Sequence, residues 1–202
     1  MSLSLNRAGL ALAVRAVLYS PEFSAGLLFA LDRARAGEWE PLLSLAGSLS
    51  AGVSDSMAIG ALLSTCCAED YQRISAGVVA PSPKGAFLGE AAVELLRSAC
   101  SVWPHRAAPA GFHEPTTGDA PTLLLSGEFD PVTPPPWAEL AAKGLKNAQL
   151  RTLAGRGHGT LSAPCARRWL KQFIRAPDKP LSQCEQLGRR PPFWLRRQAP
   201  PS

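Results

Sequence analysis

The chain has 202 residues, 46% of them hydrophobic and 18% charged, which suffices for a buried core and excludes a wholly disordered polymer. The 17 glycines and 19 prolines follow no fixed period, so they mark turns and element ends rather than a collagen-like fibre. A net charge of +5 conceals two opposed parts: residues 1–140 carry 8 Lys+Arg against 14 Asp+Glu, and residues 141–202 carry 13 against 2.

Taken in chain order, residues 10–19 space their apolar side chains as a helix does, and residues 23–35 repeat the pattern until Gly37 stops it. Pro41 opens a third helix over 42–49. A small-residue stretch, 46–56, leads into an apolar run, 57–67, closed by the acidic pair Glu69 and Asp70. Pro81, Pro83 and Gly85 predict a loop, and residues 90–103 another helix ended by Pro104. The first hundred residues therefore read as mostly helical. From 104 to 121 proline, glycine, threonine and histidine accumulate, the composition of a linker.

Beyond that point the pattern changes to α/β. Residues 122–126 (Thr-Leu-Leu-Leu-Ser) form a short apolar run between Pro121 and Gly127, as expected of a strand buried on both faces of a parallel sheet. Gly127-Glu128-Phe129-Asp130-Pro131-Val132-Thr133-Pro134 follows, with Thr133 read as the cap of a helix continuing over 137–144. Residues 147–153 supply the next strand. Gly155-Arg156-Gly157-His158-Gly159 then forms a tight turn before a helix over 166–174. The tail is rich in arginine and proline. Its charge suits an anionic partner or a solvated face, but no nucleic-acid-binding signature accompanies it, so no nucleic-acid partner is expected. No segment approaches the ~18 apolar residues of a membrane span, and the run at 8–14 is a poor signal peptide. No membrane partner is expected.

Strand, Gly-Glu-Phe-Asp-Pro-Val-Thr-Pro, helix, strand, Gly-x-Gly-His-Gly resembles the last two strands of an α/β-hydrolase, where the acid and the histidine of a catalytic triad sit at successive strand ends. Leu18-Tyr19-Ser20, the Gly37-Glu38-Trp39-Glu40-Pro41-Leu42 run, Cys67-Ala68-Glu69-Asp70 and Cys100-x-x-Trp103-Pro104 extend the likeness. Together they resemble the cap and C-terminal region of tripeptidyl-aminopeptidase and proline-iminopeptidase-like hydrolases, from about residue 8 to about residue 186. The expected fold is thus α/β, a partial α/β-hydrolase: a helical cap region (1–104), a linker (105–120), a C-terminal segment carrying acid and histidine (121–186) and a basic tail (187–202).

The chemistry can be argued without the family. Parallel strands present their C-terminal ends to one crevice, so Asp130 and His158 can converge although 28 residues separate them. Asp130 would accept the Nδ1 proton of His158 and leave the other ring nitrogen as general base. Taken singly, an Asp before Pro is also a turn former and a His between glycines a loop residue; it is their joint placement that points to a catalytic pair. The third member is not found. A nucleophile elbow is a strand, G-x-S-x-G and a helix; the nearest match, Gly52-Val53-Ser54-Asp55-Ser56, lacks the last glycine and follows helical sequence. The chain is accordingly expected to be a C-terminal portion whose serine belongs to a missing N-terminal half, and to be inactive alone. The alternative is a non-catalytic remnant or binding module that uses the cap cleft or the basic tail.

The five cysteines, at 66, 67, 100, 165 and 184, have no metal-site spacing, so neither metal nor cofactor is expected. The residues alone leave buried thiols and disulfides both open. The resemblance implies bridges Cys67–Cys100 and Cys165–Cys184, hence an oxidising, exported or periplasmic setting. It also implies a peptide substrate with a free N-terminus, its ammonium held by Glu69 and Asp70; an exposed acid pair ending a helix is the plainer reading of the same residues.

Overall fold

The computed structural model describes residues 6–47, 57–75, 91–184 and 190–195. Ser54 and the loop expected at 81–85 lie outside them. The described helices and strands are α1 (Arg7–Val17), α2 (Pro21–Ser24), α3 (Leu27–Arg35), α4 (40–47), α5 (Ile59–Glu69), α6 (Tyr71–Ser75), α7 (Ala91–Cys100), β1 (Thr122–Gly127), α8 (Pro135–Ala142), β2 (Ala148–Leu153) and α9 (Pro164–Arg175). The fold is α/β. Two compact units divide the chain, Met1–Ala13 with Ser50–Glu114 and Val14–Leu49 with Pro115–Ser202. Among the described residues no single helix is long and apolar enough to cross a membrane.

The first unit is built on α5, α6 and α7. Cys67 and Cys100, both fully buried, form a disulfide between α5 and α7 with a Cα separation of 5.3 Å. Below α7 the chain folds back on α5: the Trp103 indole N–H donates to the Ser64 hydroxyl at 3.2 Å, and the Ala108 N–H to the Ala68 carbonyl at 2.9 Å. The bridge removes chain entropy from the unfolded state of this unit.

The second unit centres on a two-stranded parallel sheet, paired in register from Thr122 with Ala148 to Gly127 with Leu153. Parallel neighbours need a crossover connection, which α8 supplies while packing on both strands. Leu123 and Leu125 pack against a core of Leu153, Cys165, Ala166, Trp169, Leu181 and Cys184. In α9 the residues Cys165, Ala166 and Trp169 are buried while Arg167, Arg168, Lys171 and Arg175 are exposed, so part of the C-terminal charge excess is a solvated helix face. The chain beyond α9 is fastened to it. A second disulfide joins Cys165 to Cys184, Cα atoms 6.0 Å apart, and the Trp169 indole donates to the Ser182 carbonyl at 2.8 Å.

The single helix expected over 23–35 is instead two, α2 and α3, parted at Ala25 and Gly26. A contact distant in sequence accounts for the break. The Trp194 N–H donates to the Ala25 carbonyl at 2.9 Å and its ring lies against Gly26, so the segment 190–195 packs on this corner. The first of the two helices begins at Pro21, because the Ser20 hydroxyl accepts the Glu22 N–H at 3.2 Å and caps it. Leu27, Ala30 and Ala34 of α3 and Leu42 and Leu45 of α4 are buried. Each such leucine contributes about 2 kcal/mol of transfer free energy.

Candidate active site

Asp130 lies just past the end of β1 and His158 just past the end of β2. Because the two strands are parallel neighbours, both loops open at the same edge of the sheet. Backbone bonds lock them together: the Glu128 N–H donates to the Leu153 carbonyl at 3.0 Å and the Phe129 N–H to the Arg156 carbonyl at 2.8 Å. The Glu128 carboxylate accepts the Gly155 N–H at 2.7 Å. A third strand of chain completes the support, since the Tyr19 carbonyl accepts the His158 N–H at 2.9 Å. Gly157 is required by this approach: a Cβ there would collide with the Tyr19 carbonyl oxygen, and one on Gly127 with the Gly157 carbonyl oxygen. Gly159, at φ +81°, turns the chain away after the histidine.

Four donors surround the Asp130 carboxylate, whose side chain is only 5% exposed. Its Oδ1 accepts the N–H groups of Val132 at 2.8 Å and Thr133 at 2.9 Å. Its Oδ2 accepts the Thr133 hydroxyl at 2.8 Å and His158 Nδ1 at 2.9 Å. Burial alone would raise the pKa of Asp130. The backbone N–H groups of Thr133 and Val132, with His158 and the Thr133 hydroxyl, outweigh it and lower the value from 3.8 to about 2. Asp130 is therefore an anion at neutral pH and its oxygens only accept, so the His158 Nδ1 carries a proton, and it is Nε2 that bears the lone pair in the neutral ring.

The His158 side chain is 42% exposed, and its ring meets the Tyr19 ring edge to face at 5.4 Å. Together with Ser20, Glu22, Arg156 and Ser162 it lines a cleft of about 430 Å³. Glu22 is fixed there from two sides, by the Ser20 hydroxyl at 2.6 Å and by Arg156 Nη1 at 3.2 Å. Nε2 has no hydrogen-bond partner among the described residues. The arrangement is a base with one nitrogen held by an ionised acid and the other free to take a proton.

Thr133 corrects an expectation. It was read as the cap of the helix after β1, but Pro134 occupies the cap position of α8, and Thr133 instead gives both its donors to Asp130. A carboxylate three residues before a threonine takes its N–H and hydroxyl proton in a local turn, and α8 starts one residue too late for Thr133 to cap it. Spacing in D-x-x-T was the signal for that contact. Glu128, the Tyr19 carbonyl and the Glu22–Arg156 pair carried no such local signal.

Glu69 and Asp70 belong to the first unit. Glu69, half-buried at the end of α5, lines a cleft of about 430 Å³ with Gln72, Arg73, His113 and Glu114. Asp70 is exposed, and its carbonyl accepts the N–H groups of Arg73 and Ile74 at 3.0 and 3.1 Å, which starts α6. Cys66 is the free thiol; burial, then Asp70 and Glu69, push its pKa up, so it is a poor thiolate. Among the described residues no three His, Cys, Asp or Glu side chains cluster as a metal site would require.

A parallel βαβ unit with an acid after one strand and its hydrogen-bonded histidine after the next has the arrangement of the C-terminal edge of an α/β-hydrolase. The comparison by sequence points the same way: the model of the family described as TAP-like protein matches residues 86–184. No curated protein and no solved structure matches the chain.

Proposed function

We propose that the chain supplies the acid, the base and the lid of a serine peptidase of aminopeptidase type, the nucleophilic serine coming from residues outside these 202. The single observation that carries this reading is the 2.9 Å bond from His158 Nδ1 to Asp130 Oδ2 at neighbouring strand ends. In the completed site His158 Nε2 takes the serine proton as the hydroxyl attacks the peptide carbonyl. Asp130 stabilises the imidazolium so formed. The same nitrogen then protonates the departing amine, and a water activated by His158 releases the acyl group. No step calls for a metal or organic cofactor.

The finer parts of the reading rest on the family likeness. The substrate is a peptide with a free N-terminus, whose ammonium Glu69 holds, with Asp70 adding to the local negative potential. The two disulfides fit an exported or periplasmic setting. Neither nucleic acid nor membrane is a partner, and without its serine the chain is inactive.

The test is complementation. The chain is mixed or co-expressed with a segment carrying strand, G-x-S-x-G and helix, encoded next to it or taken from a TAP-like hydrolase, and a fluorophosphonate probe is added. Serine labelling that needs both parts, and that Asp130→Asn and His158→Gln each reduce at least 100-fold, supports the reading. Labelling indifferent to both substitutions would remove it. Glu69→Gln in the complemented enzyme slows free-amine peptides and spares N-blocked ones.

A further inference from the structure

The hydrogen bonds around Asp130 are unevenly shared. Oδ1 is held by two backbone N–H groups, which anchor the carboxylate whatever side chain stands at 133. Oδ2 divides its lone pairs between His158 Nδ1 at 2.9 Å and the Thr133 hydroxyl at 2.8 Å. With Asp130 buried, water has little access to replace either donor. The hydroxyl is thus the one removable competitor for the oxygen that faces the histidine.

We infer that Thr133 is a positioning residue that sets the basicity of His158 by sharing the Asp130 Oδ2. A second donor on that oxygen draws its electron density away from the imidazole, so the imidazolium gains less from Asp130 than it would from an undivided carboxylate. Without the hydroxyl the carboxylate keeps its orientation through Oδ1, and all of Oδ2 turns to His158. Among the described residues, the other titratable or charged groups around the ring are Tyr19, edge-on at 5.4 Å and covered by Arg15, and the Glu22–Arg156 ion pair of the same cleft. Among the described residues none of them hydrogen-bonds or ion-pairs with the Thr133 or Asp130 side chain, so substitution at 133 leaves those pairs in place.

The consequence for catalysis rests on the proposed reading of Asp130 and His158, but the titration does not; it is read on the chain as it stands, whether or not it hydrolyses anything. The chain has three histidines, so the His158 ring signals are assigned by their loss in His158→Gln and followed by NMR from pH 4 to pH 9. Thr133→Val, close in shape and without the hydroxyl, should raise the His158 midpoint by about half a unit to one unit. Thr133→Ser, which restores the hydroxyl, should return it to the wild-type value, and His105 and His113 should not move. Asp130→Asn should lower the His158 midpoint, which checks that the carboxylate is what the ring senses. If Thr133→Val does not fold, as judged by amide dispersion, Thr133→Ala is read in the same way. A midpoint that is unchanged or lower in a folded variant overturns the inference, as does a serine variant that shifts as far as valine.

Discussion

Replacing Asp130 by asparagine keeps the size of the side chain and removes its charge. In the folded chain the carboxyl titrates at about 2 against 3.8 when unfolded, a gap of nearly two units. At about 1.4 kcal/mol per unit this gives about 2 kcal/mol of folding free energy linked to ionisation. Because the folded value is the lower one, that stability is present in full above the unfolded pKa and is lost as pH falls from about 4 through 2. Urea unfolding of the disulfide-intact wild type and of Asp130→Asn, followed by tryptophan fluorescence at several pH values, measures it directly. The variant should be weaker by about 2 kcal/mol from pH 7 down to pH 4, and the difference should shrink toward zero near pH 2. A difference that persists undiminished at pH 2.5, or is absent at pH 7, would show that the four donors do not hold an anion, and the assignment of the proton to His158 Nδ1 would fall with it.

Gly157→Ala should cost about 1–3 kcal/mol, because its methyl group meets the Tyr19 carbonyl, whereas Gly47→Ala, with nothing within 4 Å, should cost nothing; equal urea midpoints for the two variants would refute the close approach. Alkylation of the denatured, unreduced chain should label Cys66 alone among the five cysteines, and each bridge removed by paired Cys→Ala substitution should cost about 3 kcal/mol. Five labelled cysteines would dismiss both bridges.

The first strand was legible because it is a continuous apolar run with clear stops. Pro121 and Gly127 bracket the first, and the observed strand, Thr122–Gly127, extends the expected one by a single residue. The second was expected over 147–153 and is found at Ala148–Leu153. Helix α9 was legible from its one apolar face, although it starts two residues earlier, at Pro164, where the ring suits a first turn. The juxtaposition of Asp130 with His158 was also readable, since two parallel strands joined by one helix leave their ends side by side. Periodicity failed at Ala25 and Gly26, where the apolar spacing runs on but a glycine weakens the helix and the Trp194 N–H takes the Ala25 carbonyl.

What the sequence determines by itself is local: which runs are strand or helix, where glycine and proline end them, and that an acid and a histidine close two successive strands. Those features depend on a residue's own backbone preferences and on neighbours within a few positions. The tertiary structure alone decides which donors the acid meets. Thr133 serves a buried carboxylate instead of a helix cap, Glu128 reaches Gly155, and the Tyr19 carbonyl, far earlier in the chain, holds the histidine backbone. A buried charge or carbonyl takes whichever donor the fold delivers, because leaving it unpaired costs about 1–3 kcal/mol, more than the helical preferences it overrides.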